Sequence, residues 1–209
     1  MGVADVFNLN DKFALLAKTK SGKSYLGKII QRLYPRRIVI DTTYEYDESF
    51  GEIIYGFTTF AKRLKEIENV DEYSIIFRFN HEDQNQDEIF EQICRLIFYL
   101  GDTFFVVEEI HLHSNTHNIN HWLLRIATMG SHQGIGYLLT TQRPSLIHKT
   151  LLTQCDHIFV GQLIDENDIS YVKSFLRDEA KTIHTLEPRN FIYFSHGQIQ
   201  KINTNNISF

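Results

Sequence analysis

"ALLAKTKSGKSYLGKII", residues 14–30, leads from an apolar run through lysines and small residues and back into apolar sequence. Set against the phosphate-loop pattern G-x-x-x-x-G-K-[ST], it fits at Gly22, Lys23 and Ser24, with Ala17 where the pattern opens on glycine. Binding a phosphate takes inward-facing N–H groups, a helix N-terminus, a lysine for the β and γ oxygens and a hydroxyl for Mg²⁺. Thr19, Lys20, Ser21, Gly22, Lys23, Ser24 and Tyr25 can supply that set. Alanine at 17 is acceptable if the backbone there does not need positive φ. By itself the segment leaves two readings open, a phosphate cradle or a basic strand-to-helix turn.

The surrounding chain narrows the choice. Its 209 residues suit one well-buried α/β domain over residues 1–209. With 43% apolar and 22% charged residues and three prolines, disorder and fibrous structure are excluded, and no internal repeat stands out. No stretch reaches the about 20 apolar residues of a membrane span, and the start "MGVADVFNLNDK" lacks a secretory pattern. Asp5 and Val6 after Met1-Gly2 argue against N-myristoylation. A cytoplasmic protein is expected. Cys94 and Cys155 suggest two reduced thiols and no disulfide. A net charge of −5 argues against a surface that grips nucleic acid all over, while leaving room for a basic patch.

Hydrophobic periodicity lays out alternating elements. Strands are expected at residues 12–18, 36–42, 73–79, 102–109, 135–142 and 157–163. Helices are expected at about 22–34, 58–69, around Ile89–Leu100, 118–129 and 145–154, with Pro35 and Gly101 as stops. Residues 41–56 read as a loop. The alternation predicts a mainly parallel sheet with helices on both faces. "FIYFSHGQIQKI" predicts a C-terminal hairpin turning at residues 195–197 and extending one sheet edge.

Ligands of such sheets sit at the carboxyl ends of the strands. Three ends carry chemistry: the glycine-lysine-serine turn, Glu108-Glu109 closing "FFVVEE", and Gln142 in "LLTTQRP". Adjacent carboxylates on a buried strand are costly unless metal, water or cations engage them. They suit a Walker B element in which Glu108 holds the Mg²⁺ shell through water and Glu109 polarises the attacking water. Aspartate is commoner at the first of these positions. Gln142 either orients the lytic water or senses the γ-phosphate, or merely caps the helix after Pro144.

The order of phosphate loop, "FFVVEE" and "GIGYLLTTQRPS" resembles the HerA/FtsK superfamily of P-loop motor ATPases, over about residues 12–165. The resemblance implies a RecA-like core, ATP and Mg²⁺ as cofactors, and a homo-oligomeric ring, a hexamer, with ATP between subunits. A chain trimmed to the motor core is similar to genome-packaging ATPases of tailless icosahedral viruses. Its partners would be double-stranded DNA and capsid or membrane vertex proteins, and its setting the host cytoplasm or the virion. Relatives place a trans-acting arginine where this chain has Ser131 and His132; Arg125 is the expected substitute and Arg143 the second candidate.

Three competing readings follow: a DNA translocase, cellular or viral; a nucleotide switch or small-molecule kinase, against which the absence of N-K-x-D counts; and an assembly protein that binds nucleotide weakly. His111, His113, His117 and His121 are read as a polar loop beside the site instead of a zinc centre. Lys149, Arg125 or that loop are candidate contacts to DNA phosphates. "YEYDES", residues 44–49, is read as a solvated connection.

Overall fold

The computed structural model describes residues 7–80 and 82–206. The Met1-Gly2 start lies outside them. Nine strands form a single sheet: β1 (Lys12–Leu16), β2 (Arg36–Ile40), β3 (Glu52–Tyr55), β4 (Tyr73–Arg78), β5 (Phe104–Val107), β6 (Gly136–Thr141), β7 (His157–Val160), β8 (Asn190–Ser195) and β9 (Gln198–Asn203). Their spatial order is β3-β4-β2-β5-β6-β1-β7-β8-β9. All pairs from β3 to β7 are parallel, and β7-β8-β9 are antiparallel. The predicted hairpin is present, with Ser195 opposite Gln198 and His196 and Gly197 at φ 48° and 78° between them, the two positive values a tight two-residue turn requires.

The helices are α1 (Lys23–Gln31), α2 (Phe57–Glu66), α3 (Gln86–Leu100), α4 (His121–Met129), α5 (Lys149–Thr153) and α6 (Glu166–Leu176). Their distribution is lopsided. On one face Phe60, Leu64, Phe90, Ile93, Leu123, Ile126, Leu151 and Val172 bring α2 to α6 onto the sheet residues Ile38, Ile40, Phe105 and Val107. On the other, Leu26 and Ile30 bring α1 alone, and Tyr46 and Phe50 from the following loop complete the cover over Phe13, Val39, Phe104 and Val106. Every residue of β5 is buried, with alternate side chains in the two clusters, as a central strand covered on both faces requires.

Most expected elements are present with ends shifted by one to three residues, as in α4, which starts at His121, and two segments differ in kind from the sequence reading. Residues 41–56 are not all loop: β3 is an edge strand, four residues long with only Ile54 buried, so it has little apolar alternation to announce it. It enters after Gly51, where a Cβ would stand 2.6 Å from the Ser74 carbonyl oxygen. The single helix expected at 145–154 is a 3-10 turn at Pro144–Leu146 followed by α5, because Ile147 is extended and His148 accepts the Thr150 N–H as a new cap.

The amino edge of the sheet is fastened by Asp11. Its carboxylate accepts the Asn8 N–H at 2.8 Å and lies 3.0 Å from His157 Nε2, whose Nδ1 meets the Tyr193 hydroxyl at 2.7 Å. Burial alone would raise the Asp11 pKa, but the bonds from His157 and Asn8 outweigh it and hold the group below the ordinary value. Its contribution to stability is therefore complete above the unfolded pKa of about 3.9 and is lost as pH falls through the folded one. Asp11→Asn is expected to cost about 1–2 kcal/mol at pH 7. In urea melts, the gap from wild type closes as the buffer is taken below pH of about 4.

Candidate nucleotide site

The sheet order sets three strand ends side by side: β5, β6 and β1. The register runs Val107 to Leu139 and Leu16 to Thr141. The residues that follow these strands, Glu108-Glu109, Gln142 and the 17–24 loop, therefore converge on one edge.

The loop is locked from both sides. The Ala17 N–H donates to Thr141 O at 3.1 Å, Lys18 N–H to Gln162 O at 2.8 Å, and the Ser21 hydroxyl to Lys18 O at 2.7 Å. Lys20 and Gly22 take positive φ, 62° and 94°, whereas Ala17 does not. Gly22 caps α1, so the first turn of the helix begins at Lys23 with its N–H groups facing the loop. Alanine at the opening position has its own accommodation. A Cβ on Gly161 would lie 2.9 Å from Ala17 Cβ, so a neighbouring glycine on the β7 extension leaves the space that the methyl group fills.

Lys23 is buried and pairs with Glu109 Oε1. Gln142 donates to both oxygens of the same carboxylate, from its backbone N–H to Oε2 and from Nε2 to Oε1, each at 3.2 Å. The Gln142 side-chain oxygen in turn accepts the Thr19 hydroxyl at 2.7 Å. His111 Nδ1 stands 3.3 Å from Glu109 Oε2 and 3.0 Å from Thr141 Oγ1. Of the two roles read for Gln142, the helix cap is not used: its amide belongs to this cluster.

The two glutamates diverge. Glu109 takes the left-handed conformation, φ 49°, just past the end of β5. Burial acts to raise its pKa, yet the hydrogen bond from His111 and the charge of Lys23 prevail and hold it at about 2. Burial of Glu108 prevails over the hydrogen bond from Tyr46 and pushes that carboxyl up to about 7. Its Oε1 accepts the Tyr46 hydroxyl at 2.8 Å, and Tyr46 accepts from Gln31 Nε2 at 2.7 Å. Tyr46 is 3% exposed, so "YEYDES" is not a solvated connection throughout. Asp41, at the end of β2, folds this segment back: it accepts the N–H groups of Glu45 and Tyr46 and is gripped twice by Arg78, at 2.7 and 2.9 Å.

The remaining candidates lie apart from this cluster. Arg125 rests against the rings of Phe98 and Trp122, 5.0 and 5.2 Å from their centroids. Arg143 pairs with Asp168 at 2.9 Å and Asp165 at 3.5 Å. Lys149 is exposed at the start of α5. The four histidines are dispersed: His113 stacks on Phe90 at 4.2 Å, with burial lowering its pKa to about 4, while His117 and His121 are exposed. Among the described residues no three histidine, cysteine, aspartate or glutamate side chains converge on a metal-sized site.

The fit between Ala17 and Gly161 can be tested alone. Gly161→Ala is expected to destabilise the protein by about 1–3 kcal/mol through overpacking. Adding Ala17→Gly should recover part of that loss, since Phe191 at 3.0 Å keeps the remainder. Denaturation midpoints of the single and double variants measure the coupling.

No protein-family model matches the chain. A 73-residue stretch, 34% of the chain, is 34% identical to Probable helicase MJ1565 of Methanocaldococcus jannaschii and spans 14% of that protein. Over 93% of its length the chain superposes on the genome packaging NTPase B204 of Sulfolobus turreted icosahedral virus 2. With AMPPCP bound, that match has a TM-score of 0.73, 20% identity and 97% of B204 covered; with ATP-gammaS it has 0.74, 20% and 98%. EssC ATPases 2 and 3 of Geobacillus thermodenitrificans match at a TM-score of 0.55 and 12% identity, over 91% of this chain and 39% of that one. Among the described residues no helix is long and apolar enough to cross a membrane. The strand order, the C-terminal hairpin and these superpositions give the chain the P-loop ATPase fold of B204, the fold its HerA/FtsK-like motif order implied.

Proposed function

We propose that the protein is an ATPase of the HerA/FtsK type that moves double-stranded DNA, and that it serves as a viral genome-packaging motor, at work in the host cytoplasm or at the virion. The observation that carries this reading is the single cluster formed by Lys23, Glu109, Gln142 and Thr19 across three adjacent strand ends. The likeness to B204, a packaging NTPase captured with ATP analogues, supports it.

The residues divide the work by position. The N–H groups of residues 21–24 and the Lys23 ammonium take the β and γ phosphates. Incoming phosphate oxygens compete with Glu109 for Lys23, so nucleotide binding withdraws the cation that neutralises that carboxylate. Glu109, held ionised, then accepts a proton from water attacking the γ-phosphorus, and the Gln142 amide orients that water from the neighbouring strand end. Ser24 and Glu108 offer the hydroxyl and carboxylate oxygens that Mg²⁺ prefers, an ion that takes few protein ligands and keeps water and phosphate in its shell. Bound there, the ion would offset phosphate charge. A homo-oligomeric ring, a hexamer, completes the site with an arginine in trans; Arg125, held by rings instead of a carboxylate, is the first candidate and Arg143 the second. Lys149 and exposed basic groups contact DNA phosphates without reading sequence, and capsid or membrane vertex proteins are the docking partners.

Two experiments decide the matter. Steady-state hydrolysis and nucleotide binding should separate the roles: Lys23→Ala abolishes ATP binding, whereas Glu109→Gln keeps it and loses about 100-fold or more in kcat. Hydrolysis surviving in both variants would refute the assignment. Turnover should also rise with duplex DNA on a sample of known oligomeric state, and the rise should fade as salt is raised. ATPase activity indifferent to DNA, with phosphoryl transfer to a metabolite, would favour a kinase; no activity in the DNA-bound assembly would favour an assembly protein.

A further inference from the structure

The C-terminal hairpin touches the phosphate loop through Arg189, the residue before β8. Arg189 holds a positive φ of 68°, a conformation that residues bearing a Cβ seldom adopt. Bonds on both of its backbone groups hold it there: its N–H donates to Ser21 O at 2.7 Å, and its carbonyl accepts the Thr204 N–H at 2.9 Å. The close approach depends on Gly22, whose missing Cβ would lie 3.1 Å from Arg189 Cγ. From there the guanidinium carbon stands 4.6 Å from the centroid of the Tyr25 ring. Tyr25 is 45% exposed, Arg189 is exposed, and the guanidinium hydrogen-bonds the neutral Asn205 side chain at 2.5 Å.

We propose that Tyr25 and Arg189 form a stacking platform for the base of the bound nucleotide, an inference that rests on the phosphate-site reading above. Lys23 and Glu109 beside the loop are buried, whereas Tyr25 and Arg189 are exposed to an incoming nucleoside. Tyr25 directly follows Ser24, with the Arg189 guanidinium over its ring. A phenol ring and a planar cation both present faces on which a base stacks, and such stacking tolerates different bases because it reads no base edge. The two backbone bonds of Arg189 keep the platform fixed to the loop, so the C-terminal hairpin is part of the nucleotide site.

Calorimetric titration with ATP and with inorganic tripolyphosphate separates base from phosphate binding. Tyr25→Ala, which leaves the charge unchanged, and Arg189→Lys, which keeps the charge but lacks the planar fork, should each weaken ATP about tenfold and leave tripolyphosphate within about twofold, as expected when only base stacking is lost. Unchanged ATP affinity in both variants, or equal loss for both ligands, would overturn the platform. Wild-type protein that binds neither ligand would instead refute the phosphate-site reading itself. Arg189→Lys keeps the backbone bonds, and a thermal melt matching wild type confirms that the loop is intact.

Discussion

Two neighbouring carboxylates emerge from the middle of a sheet buried on both faces, and each has to be made tolerable by different means. Glu109 is given a cation, an imidazole and an amide; Glu108 is given a phenol and little else. Two buried carboxyls therefore end in opposite protonation tendencies, about 2 for the one with the cation and about 7 for the more deeply buried one. A pair of acids split in this way is how one strand end can hold both an ionised base and a carboxyl that gains from a cation.

The order of elements was readable because parallel strands covered on both faces are written as continuous apolar runs, and "FALL", "FFVV" and "YLLTT" are such runs. The placement of chemistry at their carboxyl ends followed from the same logic. Less legible were contacts between residues remote in sequence. Tyr46 is separated from Glu108 by 62 positions and lies in a segment that is locally acidic and polar, so nothing nearby marks it as buried. The one available signal was Asp41 at a strand end, a carboxylate that needs partners and finds them by folding that segment back. Arg189 had no signal at all, since its role depends on where a hairpin returns in space. Edge strand β3, with one buried side chain, has too little pattern to be distinguished from loop.

The 17–24 loop departs from the phosphate-loop spelling at one position, Ala17. The missing glycine at 17 sits where the backbone is ordinary, and the steric room it would have supplied is provided by Gly161 across the strand pair. A motif read along one strand thus omits half of the volume that decides whether it fits. Position 17 and position 161 share one space, and only the folded sheet shows that they do.

Among the described residues, α1 is the only helix supplying the cluster on its face of the sheet, and its two ends reach the two glutamates by different routes. Lys23, at its first turn, meets one carboxylate directly; Gln31, at its last, reaches the other through the Tyr46 hydroxyl. Nine residues make a rod about 13 Å long. The two glutamates, kept apart chemically, are in this way tied to one rigid element.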